Sequence, residues 1–330
     1  MARLLQYLTP TGSPSVGMVD GDDIVQLSGF RSLVEMAHAA IGRGVLLADL
    51  ARTQPQGVRE RYADVLSSGR MRPVVDGLGA TRLMVTGTGL THTGSAQARD
   101  AMHSMLDADD SALSDSMKIF KMGVQGGKPA PGQVGVQPEW FWKGDASILR
   151  GAGQAMDSPH WAMDFGEEPE IAGIYLIDRH GTPCRLGFAL ANEMSDHVME
   201  RQNYLFLAHS KLRQCALGPE LLLGELPRHV EGKSRIYRHG EIVWEKDFLS
   251  GEDNMTHSIA NLEHHHFKYP LFRQPGDLHV HVFGTATISF ADGLRLQDGD
   301  EMEIDCPAMG RPLRNPVRTV QHDTPTMRSL

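Results

Sequence analysis

Short apolar runs separated by turn residues dominate the chain after Phe141. They include EIAGIYLI, RLGFALAN, HVHVFGTATISF and EMEIDC, and few helical stretches such as NMTHSIANLEHHHF interrupt them. Runs of this length between turn signals are typical of β-strands. The regular alternation of strand and helix that a doubly wound parallel sheet needs is missing. The pattern therefore predicts a β-rich α+β domain.

The N-terminal part has a different pattern. RLLQYL, SVGMV and IVQL alternate with turn signals and predict strands, and the following FRSLVEMAHAAIGRG has apolar residues at helical spacing. A new unit is predicted to begin near residue 80, which divides the chain into a small N-terminal α/β domain (1–78) and a catalytic domain (79–330). The segment Met122–Trp140 is dense in glycine and proline and predicts a long irregular loop.

Charge and composition exclude several classes of protein. The net charge is -9, from 41 acidic and 32 basic residues, and the basic residues are scattered, which argues against nucleic-acid binding. Apolar runs stay well short of the roughly 18 residues that a membrane span needs. The N-terminal segment lacks the pattern of a secretion signal, so the predicted location is the cytoplasm. Three widely spaced cysteines favour reduced thiols over disulfides or a zinc site.

Several motifs suggest ligand sites but have the wrong spacing. Pro129 follows Lys128 in GVQGGKP, where a phosphate-binding loop needs Ser or Thr, and the glycines of GTGLTHTG do not fit a dinucleotide fingerprint. The three histidines of EHHHF would point about 100° apart on a helix, so packing or surface roles are favoured. His279 and His281 lie two apart and face the same way on a strand, and they are also predicted to be structural.

Acidic residues at the entrance of a strand carry the candidate chemistry. In DFGEEPEIAG, Glu168 and Glu170 precede a predicted strand over Ile171–Ile177 and project to the same side of it. Two close like charges repel, and a divalent cation is their usual compensation. Glu193 and Asp196 follow a second strand in GFALANEMSDHV. Three carboxylates with open positions suit Mg²⁺ or Mn²⁺, whereas each acid taken alone is better explained as a solvated loop charge.

These stretches occur in the order typical of a known family. PEWFWKGDASILRGAG, EEPEIAGIY, ALANEMSDH, HSKLRQCALGP, GTATISF and LQDGDEMEI resemble the motif series of the fumarylacetoacetate hydrolase superfamily, over roughly residues 85 to 317. The resemblance implies a mixed-sheet catalytic domain of that type, a divalent metal and a homodimer. GSAQARDAMH and SDHVMERQNYLFLAHSKL look more like its sugar-acid branch, which includes 2-keto-3-deoxypentonate dehydratases and diketo-sugar-acid hydrolases.

The resemblance also implies a ligand set for the metal. Glu168 and Glu170 match the Glu-x-Glu ligands of the family, and Glu193 stands where the family's third ligand, usually Asp, would be. Because Glu is one methylene longer than Asp, Asp196 and Glu167 are alternatives for the third ligand.

Four further residues take roles from the same resemblance. Lys211 matches the active-site lysine that contacts the substrate next to the metal, and Thr285 matches the threonine that binds the substrate carboxylate, although the following proline is absent here. Lys143 matches a Phe-x-Lys stretch, with either a substrate-binding or a structural role. His92 lies in a Gly- and Thr-rich loop that resembles the family's lid and is the candidate general acid or base, with Asp100 as its partner.

The predicted function is metal-dependent dehydration of a 2-keto-3-deoxy sugar acid, a pentonate, to 2,5-dioxopentanoate through a metal-stabilised enolate. A base near Lys211 or His92 would remove the C3 proton, and the C4 hydroxyl would leave. The alternative is a hydrolase that cleaves a 2,4-diketo-3-deoxy sugar acid or another acylpyruvate to pyruvate plus an acid. A non-catalytic sugar-acid-binding protein is a third hypothesis. In each case the expected ligand is a small anionic 2-oxo acid.

Overall fold

The computed structural model describes residues 2–94 and 113–330, and within them the chain forms two β-sheets and seven α-helices. The strands are β1 (Arg3–Leu8), β2 (Pro14–Asp20), β3 (Asp23–Leu27), β4 (Gln56–Arg61), β5 (Leu83–Gly87), β6 (Phe141–Asp145), β7 (Leu149–Arg150), β8 (Met156–Pro159), β9 (Gly166–Ile177), β10 (Pro183–Ser195), β11 (Cys215–Leu217), β12 (Leu221–Leu222), β13 (Val230–Arg238), β14 (Glu241–Ser250), β15 (Leu278–Val282), β16 (Glu301–Asp305) and β17 (Leu313–Val320). The helices are α1 (Leu33–Arg43), α2 (Leu47–Thr53), α3 (Tyr62–Ser67), α4 (Asp115–Gly126), α5 (His197–Gln202), α6 (Leu207–Ser210) and α7 (Ile259–Phe267).

The larger sheet has twelve strands, and most of them follow the order β4-β3-β2-β1-β12-β10-β9-β15-β5-β6, with β11 beside β10 and β7 beside β11. The smaller sheet has the order β14-β13-β16-β17-β8. Both sheets are mixed, because β15 runs parallel to β5 and β17 runs parallel to β8 while most other pairs are antiparallel. The predicted α+β class with mixed sheets is therefore confirmed.

The N-terminal strands continue the larger sheet through the pair formed by β1 and β12, in which Arg3 lies opposite Leu222. Helix α1 begins after Ser32, whose hydroxyl accepts a hydrogen bond from the backbone N–H of Glu35 at 3.1 Å. It ends at Gly44, which has a left-handed backbone with φ of 64°. Its buried face packs against the larger sheet. The division of the chain at residue 78 stays a prediction.

Strands β9 and β10 form the centre of the molecule. The apolar run from Ile171 to Ile177 is fully buried because both faces of the larger sheet are covered there. On one face Ile174 packs in a cluster that includes Leu33 of α1, and on the other face Ile171 packs in a cluster that includes Ile304 of β16. This two-sided burial fixes the two strands that carry Glu168, Glu170 and Glu193.

The structure departs from two predicted boundaries. The segment Met122–Trp140 was expected to be irregular throughout, and this is wrong for residues 122–126, which belong to α4. Ser114 caps that helix by accepting from the backbone N–H of Met117 at 3.3 Å, and the helix continues to the glycine pair at 126 and 127. Strand β9 begins at Gly166 instead of Ile171, so the acidic residues lie within a strand. Among the described residues, no helix has the length and apolar character to cross a membrane.

Candidate metal and substrate site

The pairing of β9 with β10 brings three carboxylates onto one face of the sheet. Glu168 lies directly opposite Glu193, and Glu170, two residues further along β9, lies opposite Ala191. Because alternate residues of a strand share a face, all three side chains project to the same side. Each contributes an oxygen that lies within 4.8 Å of the others. The predicted ligands Glu168, Glu170 and Glu193 are therefore brought together.

Two buried lysines hold this carboxylate cluster. The Nζ of Lys211 donates to Glu168 Oε1 at 2.6 Å, to Glu193 Oε2 at 3.1 Å and to Ser195 Oγ at 2.9 Å. Burial lowers the pKa of Lys211, but the neighbouring carboxylates outweigh burial and raise that pKa well above its usual value. Lys143 donates to Glu193 Oε1 at 2.7 Å and to two backbone carbonyl oxygens. Two ammonium groups thus compensate part of the charge of three carboxylates.

Glu170 is the member of the cluster that forms no ion pair with any cation in the described part of the chain. Its Oε2 accepts from the backbone N–H of Gly284 at 2.6 Å, while its Oε1 is buried and has no hydrogen-bond donor among residues 2–94 and 113–330. Burial, followed by the charges of Glu193 and Glu168, raises the pKa of Glu170 well above its usual value. A buried carboxylate oxygen without a donor, next to two further acids, fits a divalent cation that prefers oxygen ligands.

The loop that follows β15 supplies the backbone donor to Glu170. Gly284 has a φ of 93°, and a Cβ atom at this position would collide with the side chain of Thr91 and the carbonyl of Thr88. Only glycine fits both the left-handed backbone and the close approach of these neighbours. Gly284 therefore lets the chain turn tightly enough to point its N–H at Glu170.

The two alternative third ligands have other partners. Asp196 caps α5 by accepting from the backbone N–H of Met199 at 3.0 Å, and it forms an ion pair with Arg213 at 3.0 Å. Glu167 projects to the opposite face of β9, where both of its oxygens accept hydrogen bonds from Ser289 at 2.7 Å. Neither acid contributes to the carboxylate cluster. The geometry therefore favours Glu193 as the third ligand.

A cavity of about 490 Å³ opens beside the cluster. Glu168, Lys211 and Thr285 line it, so the cavity gives a small molecule access to one predicted ligand and to two predicted substrate-binding residues. Other side chains in its wall are Ser116, Glu139, Phe141, His197, Glu200, Arg201, Tyr204 and Phe290. The mixture of aromatic and charged groups is suited to a small polar ligand.

Sequence reasoning missed His197 and Glu200, which project from α5 into the cavity. The Nδ1 of His197 lies 3.5 Å from Glu200 Oε2 and 3.9 Å from Glu168 Oε1, and Ser210 donates to Glu200 at 2.6 Å. Burial lowers the pKa of His197, but the hydrogen bond with Glu200 and the adjacent carboxylates give a net increase. The sequence contained one signal for these two residues. A His-x-x-Glu spacing follows directly after a strand and the capping Asp196, and this spacing puts both residues on one side of a helix.

Lys143 and His92 do not line the cavity. Lys143 is buried behind Glu193, and its three hydrogen bonds all go to protein acceptors. His92 lies in the core, with its ring nitrogens bonded to the hydroxyls of Thr91 and Ser250 at 2.9 Å each, and burial lowers its pKa to about 3. A supporting role for Lys143 fits these contacts, and the acid or base role of His92 stays a prediction. Its proposed partner Asp100 lies outside the described residues.

Comparisons with known proteins establish the fold. No protein-family model and no curated protein matches the chain. Among solved structures, the chain matches the apo form of 2-keto-3-deoxy-D-arabinonate dehydratase with a TM-score of 0.71 and 20% identity, over 97% of this chain and 100% of that one. A structure of 2-keto-3-deoxy-D-arabinonate dehydratase complexed with magnesium and 2,5-dioxopentanoate matches with a TM-score of 0.69 and 19% identity, over the same shares.

A third similar structure carries a different activity in its name. It is 5-carboxymethyl-2-hydroxymuconate delta-isomerase from Mycobacterium smegmatis, with a TM-score of 0.59 and 17% identity, over 96% of this chain and 100% of that one. The chain thus has a fold shared by a dehydratase and an isomerase. The full-length match confirms the type of fold that the resemblance to the fumarylacetoacetate hydrolase superfamily implied.

Proposed function

We propose that this protein is a metal-dependent dehydratase of the sugar-acid branch of the fumarylacetoacetate hydrolase superfamily, converting a 2-keto-3-deoxy pentonate to 2,5-dioxopentanoate. The observation that carries the proposal is the convergence of Glu168, Glu170 and Glu193 beside a cavity of about 490 Å³, with one buried oxygen of Glu170 that no described residue donates to. The likeness in fold to a dehydratase complexed with magnesium and 2,5-dioxopentanoate supports the choice of reaction.

Glu168, Glu170 and Glu193 would hold the metal. A ligand set of three carboxylates favours a hard ion, Mg²⁺ or Mn²⁺, over zinc. When bound, such an ion supplies a Lewis acid that polarises the 2-oxo group and acidifies the neighbouring carbon.

The chain's own groups would bind and orient the substrate. Lys211 presents an ammonium to the cavity while it holds Glu168 and Glu193 in place, so it can attract the carboxylate of a 2-oxo acid. Thr285 lies in the cavity wall, where its hydroxyl can donate to the same carboxylate. The base was predicted to lie near Lys211 or His92, and of these two residues only Lys211 borders the cavity. We therefore assign removal of the C3 proton to the side of the cavity that Lys211 lines.

A screen of 2-keto-3-deoxy acids with and without EDTA tests the proposal, with semialdehyde and pyruvate measured in parallel. We expect semialdehyde without fragmentation, and activity that EDTA removes and Mg²⁺ restores. Pyruvate plus a hydroxy acid would instead support the hydrolase, and tight binding without turnover would support a non-catalytic protein. Alanine at Glu168 or Glu170 should abolish turnover, and metal-dependent turnover in either variant would contradict the assigned site.

A homodimer is also part of the proposal, because the family resemblance implies one. Light scattering coupled to size-exclusion chromatography would measure the mass of the particle in solution. A mass equal to that of one chain would contradict this part of the proposal and leave the assigned reaction unaffected.

A further inference from the structure

Arg201 is a cation in the cavity wall that the assigned reaction does not use. It follows Glu200 in α5, it is exposed, and it lines the same cavity as Glu168 and Lys211. Its guanidinium lies over the ring of Phe290, 4.9 Å from the ring centroid. Stacking on an aromatic face restricts a guanidinium plane that would otherwise be free to rotate.

The acids that line the cavity already have partners. Lys211 is paired with Glu168 at 2.6 Å, and it lies 3.6 Å from Glu200, which also contacts His197. Glu139 accepts a hydrogen bond from the hydroxyl of Tyr204 at 3.0 Å. Arg201, by contrast, forms no ion pair with any acid in the part of the chain that the structure describes. Its charge is therefore available to an anionic ligand.

The position of Arg201 relative to the carboxylate cluster suits the far end of a small ligand. Arg201 and His197 are four residues apart in α5, so they share a helix face and lie about 6 Å apart along its axis. The ring of Phe290 lies 4.9 Å from the imidazole of His197, as it does from the guanidinium of Arg201. His197 in turn lies 3.9 Å from Glu168. One wall of the cavity thus leads from the candidate metal ligands to Arg201.

We propose that Arg201 binds a second carboxylate at the distal end of the substrate, so that the site prefers 2-oxo diacids over 2-oxo monoacids of equal chain length. The guanidinium offers parallel N–H donors that match both oxygens of a carboxylate. If a 2-oxo diacid bound at the cluster by its first carboxylate, its second carboxylate would extend toward the guanidinium of Arg201. The inference rests on the proposed 2-oxo acid site and extends its substrate class from sugar monoacids to sugar diacids.

Binding of two unreactive probes tests the inference without any turnover. 2-Oxoglutarate and 2-oxopentanoate have the same number of carbons and differ in the second carboxylate, and calorimetric titration of the Mg²⁺-loaded protein gives both affinities. We expect 2-oxoglutarate to bind about tenfold more tightly than 2-oxopentanoate, because a charge-assisted hydrogen bond contributes about this much to affinity. Arg201→Gln should reduce its affinity to that of 2-oxopentanoate and leave 2-oxopentanoate binding unchanged. Arg43→Gln, which removes an exposed arginine at the end of α1, should keep the preference.

The possible results separate this inference from the proposed function. Equal affinities for the two probes in the unmodified protein, or an unchanged preference in Arg201→Gln, would overturn the role of Arg201 and leave the proposed dehydration intact. A preference for 2-oxoglutarate that is lost in Arg201→Gln, without dehydration of any sugar acid, would support the inference and contradict the proposed function. Binding of neither probe would overturn both.

Discussion

Replacement of Glu170 by glutamine should have opposite effects on the stability of the metal-free protein and on metal binding. Glutamine has nearly the same volume and keeps an acceptor for the N–H of Gly284, but it removes one of three neighbouring negative charges. Glu170 Oε1 has no donor to lose. We therefore expect the free energy of unfolding in EDTA to stay equal or to rise by about 1–2 kcal/mol, because like-charge repulsion is relieved.

The pH dependence of this gain follows from the raised pKa of Glu170. A carboxyl with a raised pKa in the folded state binds its proton more tightly than in the unfolded state, so the unmodified protein loses stability as the pH rises above about 4.5. Glu170→Gln does not share this loss. Its advantage over the unmodified protein should therefore grow as the pH increases from about 4.5.

Mg²⁺ should stabilise Glu170→Gln less than it stabilises the unmodified protein. At a Mg²⁺ concentration of 100 times Kd, binding stabilises the folded protein by about 2.7 kcal/mol. If loss of the Glu170 charge weakens binding about 100-fold, the same concentration stabilises the variant by only about 0.4 kcal/mol. Urea unfolding in EDTA and in Mg²⁺ measures both quantities for each protein.

Glu167→Gln is the matched control, because Glu167 is a neighbour on the opposite face of β9. Both of its oxygens accept from Ser289; glutamine keeps an acceptor for the backbone N–H, but its NH2 group cannot accept from the hydroxyl, which must turn and accept instead. We expect a loss of about 1–2 kcal/mol in the free energy of unfolding and an unchanged Mg²⁺ effect. A destabilised metal-free Glu170→Gln, or one that keeps the full Mg²⁺ effect, would refute the assignment of Glu170 as a ligand held among like charges.

Three further changes test other contacts of the fold and the site. Lys143→Met removes the buried partner of Glu193, so urea unfolding should show a loss of about 3–5 kcal/mol, and a loss below about 1 kcal/mol would contradict the contacts. Thr285→Val should raise the KM for the 2-oxo acid about tenfold, measured by steady-state kinetics, and an unchanged KM would exclude the hydroxyl from binding. Burial lowers the pKa of His279 to about 4 and of His281 to about 3. These folded-state pKa values lie below the unfolded value near 6.5, so thermal stability should fall as the pH decreases from about 6.5 to 4. The fall should be smaller in His279→Gln, and an equal fall in thermal stability in both proteins would contradict this prediction.

Local patterns were sufficient to predict two of the candidate metal ligands, Glu168 and Glu170. Glu168 and Glu170 are two apart next to an apolar run, and a period of two puts side chains on the same side of a strand wherever that strand lies. The strand starts five residues earlier than predicted, but this leaves the shared face of the two acids unchanged. The position of Glu193 depended on the resemblance to a family, because the register between β9 and β10 is not visible in either segment alone.

The residues around the ligands were harder to predict. His197, Glu200 and Arg201 belong to a helix of only six residues, which is too short for a periodic signal. Whether such side chains enter a cavity depends on the direction in which the helix leaves β10 and on the position of Phe290, about 90 residues later. The role of Lys143 could not be predicted from its segment either. A lysine in an apolar stretch can reach solvent or, as here, neutralise a buried acid, and only the tertiary structure shows which.

The sequence by itself determined the β-rich α+β class and the shared face of Glu168 and Glu170, because both follow from spacing along one segment. The tertiary structure alone decided that Glu193 lies opposite Glu168, that Lys211 borders the cavity, and that Lys143 lies behind the cluster. These positions depend on contacts between residues that are far apart in the chain. Charge, burial and access to a ligand are properties of those contacts, so residue type and spacing could not specify them.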